Sequence, residues 1–369
     1  MKAAVVSLLA ASVILVPRPA LAADCALTFG STASYATQDN PRDVTSADLD
    51  LDGDLDLIAA NLESASVSVV LDGGTAVNYA VGANPYMVVA GDVNGDAAPD
   101  LVVGDFGGGA ISVLLNEGDG TFADQVQYAV GDRPRAVALG DVDEDGTVDI
   151  TGIVQGLNAL VVLPGNGDGT FGTGSFFTTG ASPHGITLGD FNSDGHLDAA
   201  TASSSSGGMV VHLGDGTGDF TTTTAYAGAT KLYSITNADL NGDGVLDVAA
   251  ISQSAGVVDL YLGNADDSGD GDGTFAAALT SPIATGAVAV TSADLYGDGT
   301  ADVLVSNFTV NTLTWITVGT DNAVTSTDIT TGSSPYAVTA GDLTGDGTTD
   351  LAVADSGSDT VEVLTGTCA

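Results

Sequence analysis

The sequence predicts an all-β protein: a seven-bladed β-propeller of four-stranded antiparallel blades, with an N-terminal strand completing the last blade. Three observations predict it. An acidic nine-residue loop, roughly Asp-x-Asp/Asn-x-Asp-Gly-x-x-Asp, recurs seven times, starting at Asp48, Asp92, Asp141, Asp190, Asp239, Asp294 and Asp342. Successive copies lie between 44 residues (Asp48 to Asp92) and 55 residues (Asp239 to Asp294) apart, a period typical of propellers and arrays. Short apolar runs flank each loop, polar glycine-rich turns separate them, and no segment carries a helical period.

The unit from Pro134 to Thr179 shows the pattern most plainly. Arg135 to Gly140 is a small-residue strand running into the loop at Asp141, and Asp149 to Val154 is the second strand. Ala159 to Pro164 is the third, and a Gly165-Asn-Gly-Asp-Gly-Thr170 turn leads through Phe171 to an outer strand ending near Phe177. A phenylalanine stands 19 residues before the loop aspartate in five units, at Phe29, Phe122, Phe171, Phe220 and Phe275. These are expected to wedge one blade against the next, with Ala, Val and Leu filling the crowded interior. The last unit has three strands before Ala369, so Leu27 to Thr37 is expected to supply its fourth and close the ring, leaving no edge exposed.

Residues 1–22 read as a secretory signal: Lys2, an apolar Ala3 to Val16, then Ala20-Leu21-Ala22 as a cleavage site. The apolar run is short for a membrane span. Residues 23–369 are expected to form one domain, exported to the periplasm or the extracellular space. Cys25 and Cys368 both map to the repeat slot of Gly118, Gly167, Gly216 and Gly271, the one turn the chain never makes covalently. A disulfide there would staple the ring in an oxidising compartment.

The formal net charge is −42, from six Lys and Arg against 48 Asp and Glu. Only Glu63, Glu117, Glu144 and Glu362 are Glu, and so strong a bias to the shorter carboxylate suggests ligands folded tightly around a metal. Nucleic acid and anionic membranes would be repelled over most of such a surface.

Calcium takes six to eight oxygens at about 2.3–2.6 Å. Positions 1, 3 and 5 of the loop put side-chain oxygens on one side of a curling backbone, Gly at 6 allows the turn, and Asp at 9 closes the shell. The full set occurs as Asp48, Asp50, Asp52 and Asp56; Asp141, Asp143, Asp145 and Asp149; Asp190, Asn192, Asp194 and Asp198; and Asp239, Asn241, Asp243 and Asp247. Three loops depart and are expected to bind more weakly. Asp92, Asn94, Asp96 and Asp100 have Ala97 in the glycine slot; Asp294, Asp298 and Asp302 have Tyr296 at position 3; Asp342, Asp346 and Asp350 have Thr344 there. Up to seven structural calcium ions are therefore expected. Strands flank the loops, so this is not an EF-hand.

Six residues before each loop aspartate stand Arg42, Tyr86, Arg135, His184, Tyr233, Val288 and Tyr336. In a propeller this slot rings the channel mouth opposite the metal loops. The turns between second and third strands are expected to meet the same face with Asn61, Asp105, Gln155, Ser203, Ser252, Asn307 and Asp355. Aromatic faces, guanidinium forks and amides suit sugars, carboxylates or a partner's side chains, although bulky residues can also simply plug a channel. Arg133, His196, His212 and Trp315 lie off the slot and read as surface or packing residues.

The acidic loops, the Gly-Asn-Gly-Asp-Gly-Thr-Phe turn and the N-terminal strand that completes the last blade resemble FG-GAP/VCBS repeats, as in the head of integrin α-subunits. The resemblance covers nearly all of residues 23–369. It implies the propeller, and it implies adhesins, lectins and polysaccharide lyases as possible functions. In integrin-like propellers the aromatic mouth receives a cationic side chain from a partner. Here the arginines make an anionic or polyhydroxylated guest as plausible. The expected function is a binding or adhesion module for a glycan or a protein. A lyase-like enzyme using His184 with Arg42 or Arg135, or a structural surface component, are the alternatives, and no catalytic residue is assigned.

Overall fold

The computed structural model describes residues 26–205 and 207–368. Seven four-stranded antiparallel sheets form a seven-bladed β-propeller. The innermost strands of blades 1 to 7 are Pro41–Ala47, Pro85–Gly91, Pro134–Gly140, Pro183–Gly189, Leu232–Ala238, Ala287–Ala293 and Pro335–Gly341. Each packs beside the next around the axis, and that of blade 7 packs beside that of blade 1. Blade 7 is built from both ends of the chain: Leu27–Ala36 pairs antiparallel with Thr360–Cys368, placing Leu27 opposite Cys368. Residues 1–22, read above as a signal, and Cys25 fall outside the described residues. Among the described residues no helix is long and apolar enough to cross a membrane.

The second strand of every blade is buried at each residue, as in Asp149–Val154 and Asp350–Asp355, because sheets press on both of its faces. Seven hydrophobic clusters result, one at each seam between neighbouring blades. The cluster between blades 1 and 2 joins Ile58, Val67 and Val69 to Val88, Leu101 and Phe122. Full burial of each large aliphatic side chain contributes about 1.5–3 kcal/mol, so the ring is held chiefly by contacts between blades.

The outer strand of blade 3 starts later than its sequence suggests, at Ser175–Thr178. Phe171 meets Gly165 only through an isolated bridge, since the glycine-rich turn folds back on itself before the strand begins. In blade 5 the corresponding turn grows into a small hairpin, Gly263–Ala265 with Gly271–Phe275, which accounts for the longest repeat spacing.

Candidate functional site: the channel mouth and the acidic loops

The slot residues owe their direction to a device repeated in all seven blades. The residue before each innermost strand is left-handed: Asn40, Asn84, Arg133, Ser182, Lys231, Gly286 and Ser334 have φ between 54° and 89°. In five blades a proline follows and fixes the entry. The strand then slips register at once. Pro41 pairs with Asn61 but Asp43 with Ala60, leaving Arg42 as the extra residue. The same slip falls at Tyr86, His184, Tyr233, Val288 and Tyr336, and across Arg135 and Ala136 in blade 3. A bulge re-aims the side chain it carries, and here all seven line one central cavity of about 310 Å³.

Six of them form a connected cluster across the mouth. The Arg42 guanidinium lies 4.2 Å from the Tyr336 ring centre, and that of Arg135 lies 4.0 Å from Tyr86 and 4.8 Å from Tyr233. Tyr86 and Tyr336 meet edge-on at 6.0 Å and join through their hydroxyls, and Arg135 donates to the Tyr86 hydroxyl. The His184 ring sits 4.2 Å from that of Tyr233, with Gln155 Nε2 2.7 Å from its Nε2. Arg135, His184 and Tyr336 are each only 6% exposed.

The electrostatics are unusual for so acidic a chain. Among the described residues neither Arg42 nor Arg135 has a carboxylate at ion-pair distance; the pairs formed are Arg133–Asp132 and His196–Glu144, both on the surface. Arg42 Nε and His184 Nδ1 are buried without a hydrogen-bond partner. Burial, and then the charge of Arg135, depress the His184 pKa to about 3, so the ring is neutral at ordinary pH. Burial pushes Tyr86 up, with Tyr336 adding to it.

Of the second-to-third turn residues, Gln155 reaches this cluster, and the other six do not face it. Asn61, Asp105, Ser203, Ser252, Asn307 and Asp355 are at most 1% exposed, and four of them bond within or beside their own blade. Asn61 donates to Ser68 at 2.8 Å, Ser112 to Asp105 at 2.5 Å, Ser252 to the Thr230 carbonyl at 2.6 Å and Asn307 to Thr314 at 2.8 Å. The reason is pleat alternation: a residue ending a fully buried strand points into the sheet stack. The residues after two of them do contribute. Phe106 and Phe308 pack on Tyr86 and Tyr336 with ring centres 5.9 and 6.1 Å apart. Of the residues off the slot, Arg133 and His196 lie on the surface. His212 and Trp315 are packing residues, 1% and 8% exposed, and Trp315 lies against Tyr296 and Phe29.

The acidic loops occupy the other end of each innermost strand, about 20 Å away at 3.3 Å per residue. The closing aspartate is a clamp. Asp149 accepts from the Val142 amide at 2.9 Å through Oδ2 and from the Gly165 amide at 2.8 Å through Oδ1, and Asp56, Asp100, Asp198, Asp247 and Asp350 repeat both bonds. Burial pushes Asp56, Asp100 and Asp149 up to about 6 and Asp198, Asp247 and Asp302 to about 7. The first aspartate accepts the amide of position 6 in every loop, and in two loops position 3 brings a further carboxylate beside it. Asp48, Asp50 and Asp56, and likewise Asp141, Asp143 and Asp149, gather ligand atoms within 4.8 Å of one another. Asp50 Oδ1 and Asp141 Oδ1 are buried without a partner. These donor sets fit a hard cation.

The three divergent loops differ in kind. Ala97 is forced left-handed at φ 74°, so that turn forms with strain. Tyr296 leaves the loop to pack on Trp315 at 5.4 Å, which removes position 3 as a ligand. The Thr344 hydroxyl donates to Asp350 Oδ2 at 3.0 Å and stays beside the closing carboxylate. One feature escaped the motif: position 4 is also left-handed in every loop, including Leu51, Glu144 and Ser193.

An FG-GAP-like repeat family model matches residues 92–151, 195–250, 239–305 and 294–353, more than half of the chain. No curated protein matches. Solved structures share the fold at low identity. Virginiamycin B lyase from Staphylococcus aureus is 13% identical with a TM-score of 0.63, covering 92% of this chain and 99% of that one. BBS1N in complex with ARL6DN is 11% identical with a TM-score of 0.64, covering 91% and 96%. An Agrocybe aegerita lectin that recognises non-reducing terminal N-acetylglucosamine is 22% identical with a TM-score of 0.57, covering 85% of each chain. Enzymes, lectins and partner-binding proteins thus share this architecture. By its repeats, the chain belongs to the FG-GAP-like repeat family.

Proposed function

We propose that the protein is an exported, calcium-stabilised binding module that holds a glycan or a protein group at the channel mouth opposite its acidic loops. The observation that carries this reading is a pair of guanidinium groups, Arg135 buried and Arg42 half-buried, stacked on tyrosines with no carboxylate partner among the described residues in a chain of net charge −42. An enclosed cation is costly unless compensated, and a carboxylate or hydroxyl-rich guest would compensate it, with tyrosine faces to stack upon. A neutral His184, hydrogen-bonded to Gln155, is a weak proton acceptor near pH 7 and serves better as a contact than as the base of a lyase.

Calcium is the cation the loop donors suit: all are hard oxygens on one tight turn. The loops at Asp48, Asp141, Asp190 and Asp239 would hold it through their complete sets, and those at Asp92, Asp294 and Asp342 more weakly. A Cys25–Cys368 disulfide at the point where the ring closes completes the picture of an exported protein.

A glycan array probed with the mature protein in millimolar calcium tests the reading. Binding that disappears in Arg42→Ala/Arg135→Ala supports a glycan at the mouth. If folded protein binds no glycan, a protein group is the ligand or the reading fails. Turnover of any polysaccharide, abolished in His184→Ala, would establish the lyase alternative instead.

A further inference from the structure

Four seams share one ring-on-ring contact. An aromatic residue on the outer strand of one blade meets, edge-on, the phenylalanine of the next blade: Tyr79 with Phe122, Tyr128 with Phe171, Phe177 with Phe220 and Tyr226 with Phe275. Their centres lie 5.2–5.4 Å apart and their planes 77–88°. Each outer-strand aromatic occupies one register position, opposite the third-strand residue that pairs with the fifth residue of the second strand, as Tyr79 faces Val67 and Val67 faces Ala60.

Tyr35 of blade 7 stands at that same position, opposite Val361, which pairs with Ala354. Its phenylalanine is missing. Blade 1 connects its third and fourth strands by residues 71–76 alone, Leu-Asp-Gly-Gly-Thr-Ala, where blade 2 uses residues 115–125 with Phe122 among them. A cavity of about 260 Å³ stands in that place, walled by Tyr35, Ala33, Leu57, Val70, Leu343 and Val363. A cavity of about 150 Å³ suffices to take up benzene. At the seam between blades 5 and 6, which also lacks the phenylalanine, Ser281 holds the aromatic position, so Tyr35 alone keeps an aromatic platform without its ring.

Two further facts narrow the occupant. The rim carries the carboxylates of Asp54 and Asp72, and Asp72 has ligand atoms close to those of Asp50 and Asp52, so the approach is strongly negative. The residues of this chain outside the description, 1–25, 206 and 369, contain no Phe, Tyr or Trp, so the chain cannot fill the place from those segments. We propose that this seam pocket docks the aromatic side chain of a partner protein, presented beside a Lys or Arg. The ring would complete the edge-on contact with Tyr35, and the cation would lie against Asp54 and Asp72. A second copy of this chain is a poor occupant, since like-charged surfaces repel. The proposal is independent of the channel mouth.

Backbone amide shifts of the whole mature protein in millimolar calcium, titrated with the peptides Gly-Phe-Lys-Gly, Gly-Ala-Lys-Gly and Gly-Phe-Glu-Gly, test it. Gly-Phe-Lys-Gly is expected to move the amides of Tyr35, Gly73 and Gly345, with at least tenfold weaker binding for each of the other two. Ala33→Phe, which fills the pocket, should abolish the shifts, and its own spectrum reports whether it is folded. Tyr35→Ser, which leaves the pocket open but removes the platform, should weaken binding at least fivefold and decides the matter if Ala33→Phe does not fold. Equal binding of the Phe and Ala peptides, shifts that survive in folded Ala33→Phe, undiminished affinity in Tyr35→Ser, shifts that depend on protein concentration alone, or no shifts would each overturn the proposal.

Discussion

At the scale of single residues, charge placement against burial is the informative quantity. Asp355 is 1% exposed, and burial followed by the charge of Glu362 pushes its carboxyl up to about 7. A raised carboxyl favours the folded state fully only below its unfolded value near 4, and that stability is lost as pH rises through 7. Asp355→Asn should therefore make unfolding less pH-dependent between pH 4 and 7, removing a penalty of up to about 4 kcal/mol at 1.36 kcal/mol per unit. Urea midpoints at pH 5 and pH 8, compared with wild type, check this. His184 has the opposite sign. Depressed to about 3, it weakens the fold as pH falls from 6.5 towards 3, because only the unfolded chain takes up the proton. The ring of Arg42, Tyr86, Arg135, His184, Tyr233 and Tyr336 was legible because the repeat fixes its register. The inward turn of Asn61 or Asp355 was not, since spacing does not tell which side of a fully buried strand a terminal residue faces. Phe106 and Phe308 lay one residue from positions already singled out, in turns with no periodic signal.

At the scale of the element, the acidic loop separates into a clamp and a cup. The clamp, Asp149 bonding the Val142 and Gly165 amides, ties the loop to the third strand's exit. Asp149→Ala leaves two buried amides unpaired and should cost about 2–6 kcal/mol even without calcium, since each unsatisfied group costs about 1–3 kcal/mol, and more with calcium, because Asp149 also belongs to the donor set. Asp143→Asn keeps the clamp and should lower stability only when calcium is present, since without the ion it relieves the repulsion of Asp141 and Asp149. Urea unfolding in calcium and in EDTA distinguishes the two. Ala97→Gly should stabilise by about 1 kcal/mol, because Ala at φ 74° carries the steric strain that glycine lacks. The nine-residue motif made loops and flanking strands legible to within a residue or two. It concealed the division of labour, because clamp and ligand are the same residue type, and it concealed Tyr296, whose departure from the loop depends on Trp315 from a strand further along the same blade.

At the scale of the molecule, seven blades meet through seven apolar seams, and both chain ends share the last blade. That closure was legible in the count of strands. The pocket at the closing seam was not, because a shortened turn reads as harmless until the ring it omits is placed in space. Against this assembly stands a net charge of −42, concentrated on one face by the loops, and self-repulsion of that size opposes the compact state. Calcium in the loops is the counterweight proposed above. Cations that bind the folded loops and not the unfolded chain stabilise by mass action. The most direct test is calorimetric calcium titration of the EDTA-treated mature protein, paired with thermal unfolding in each state. At least four bound ions per chain are expected, with a fall in Tm of about 10 °C or more on chelation, the shift that a loss of several kcal/mol brings. An unchanged Tm with no heat of calcium binding would contradict it.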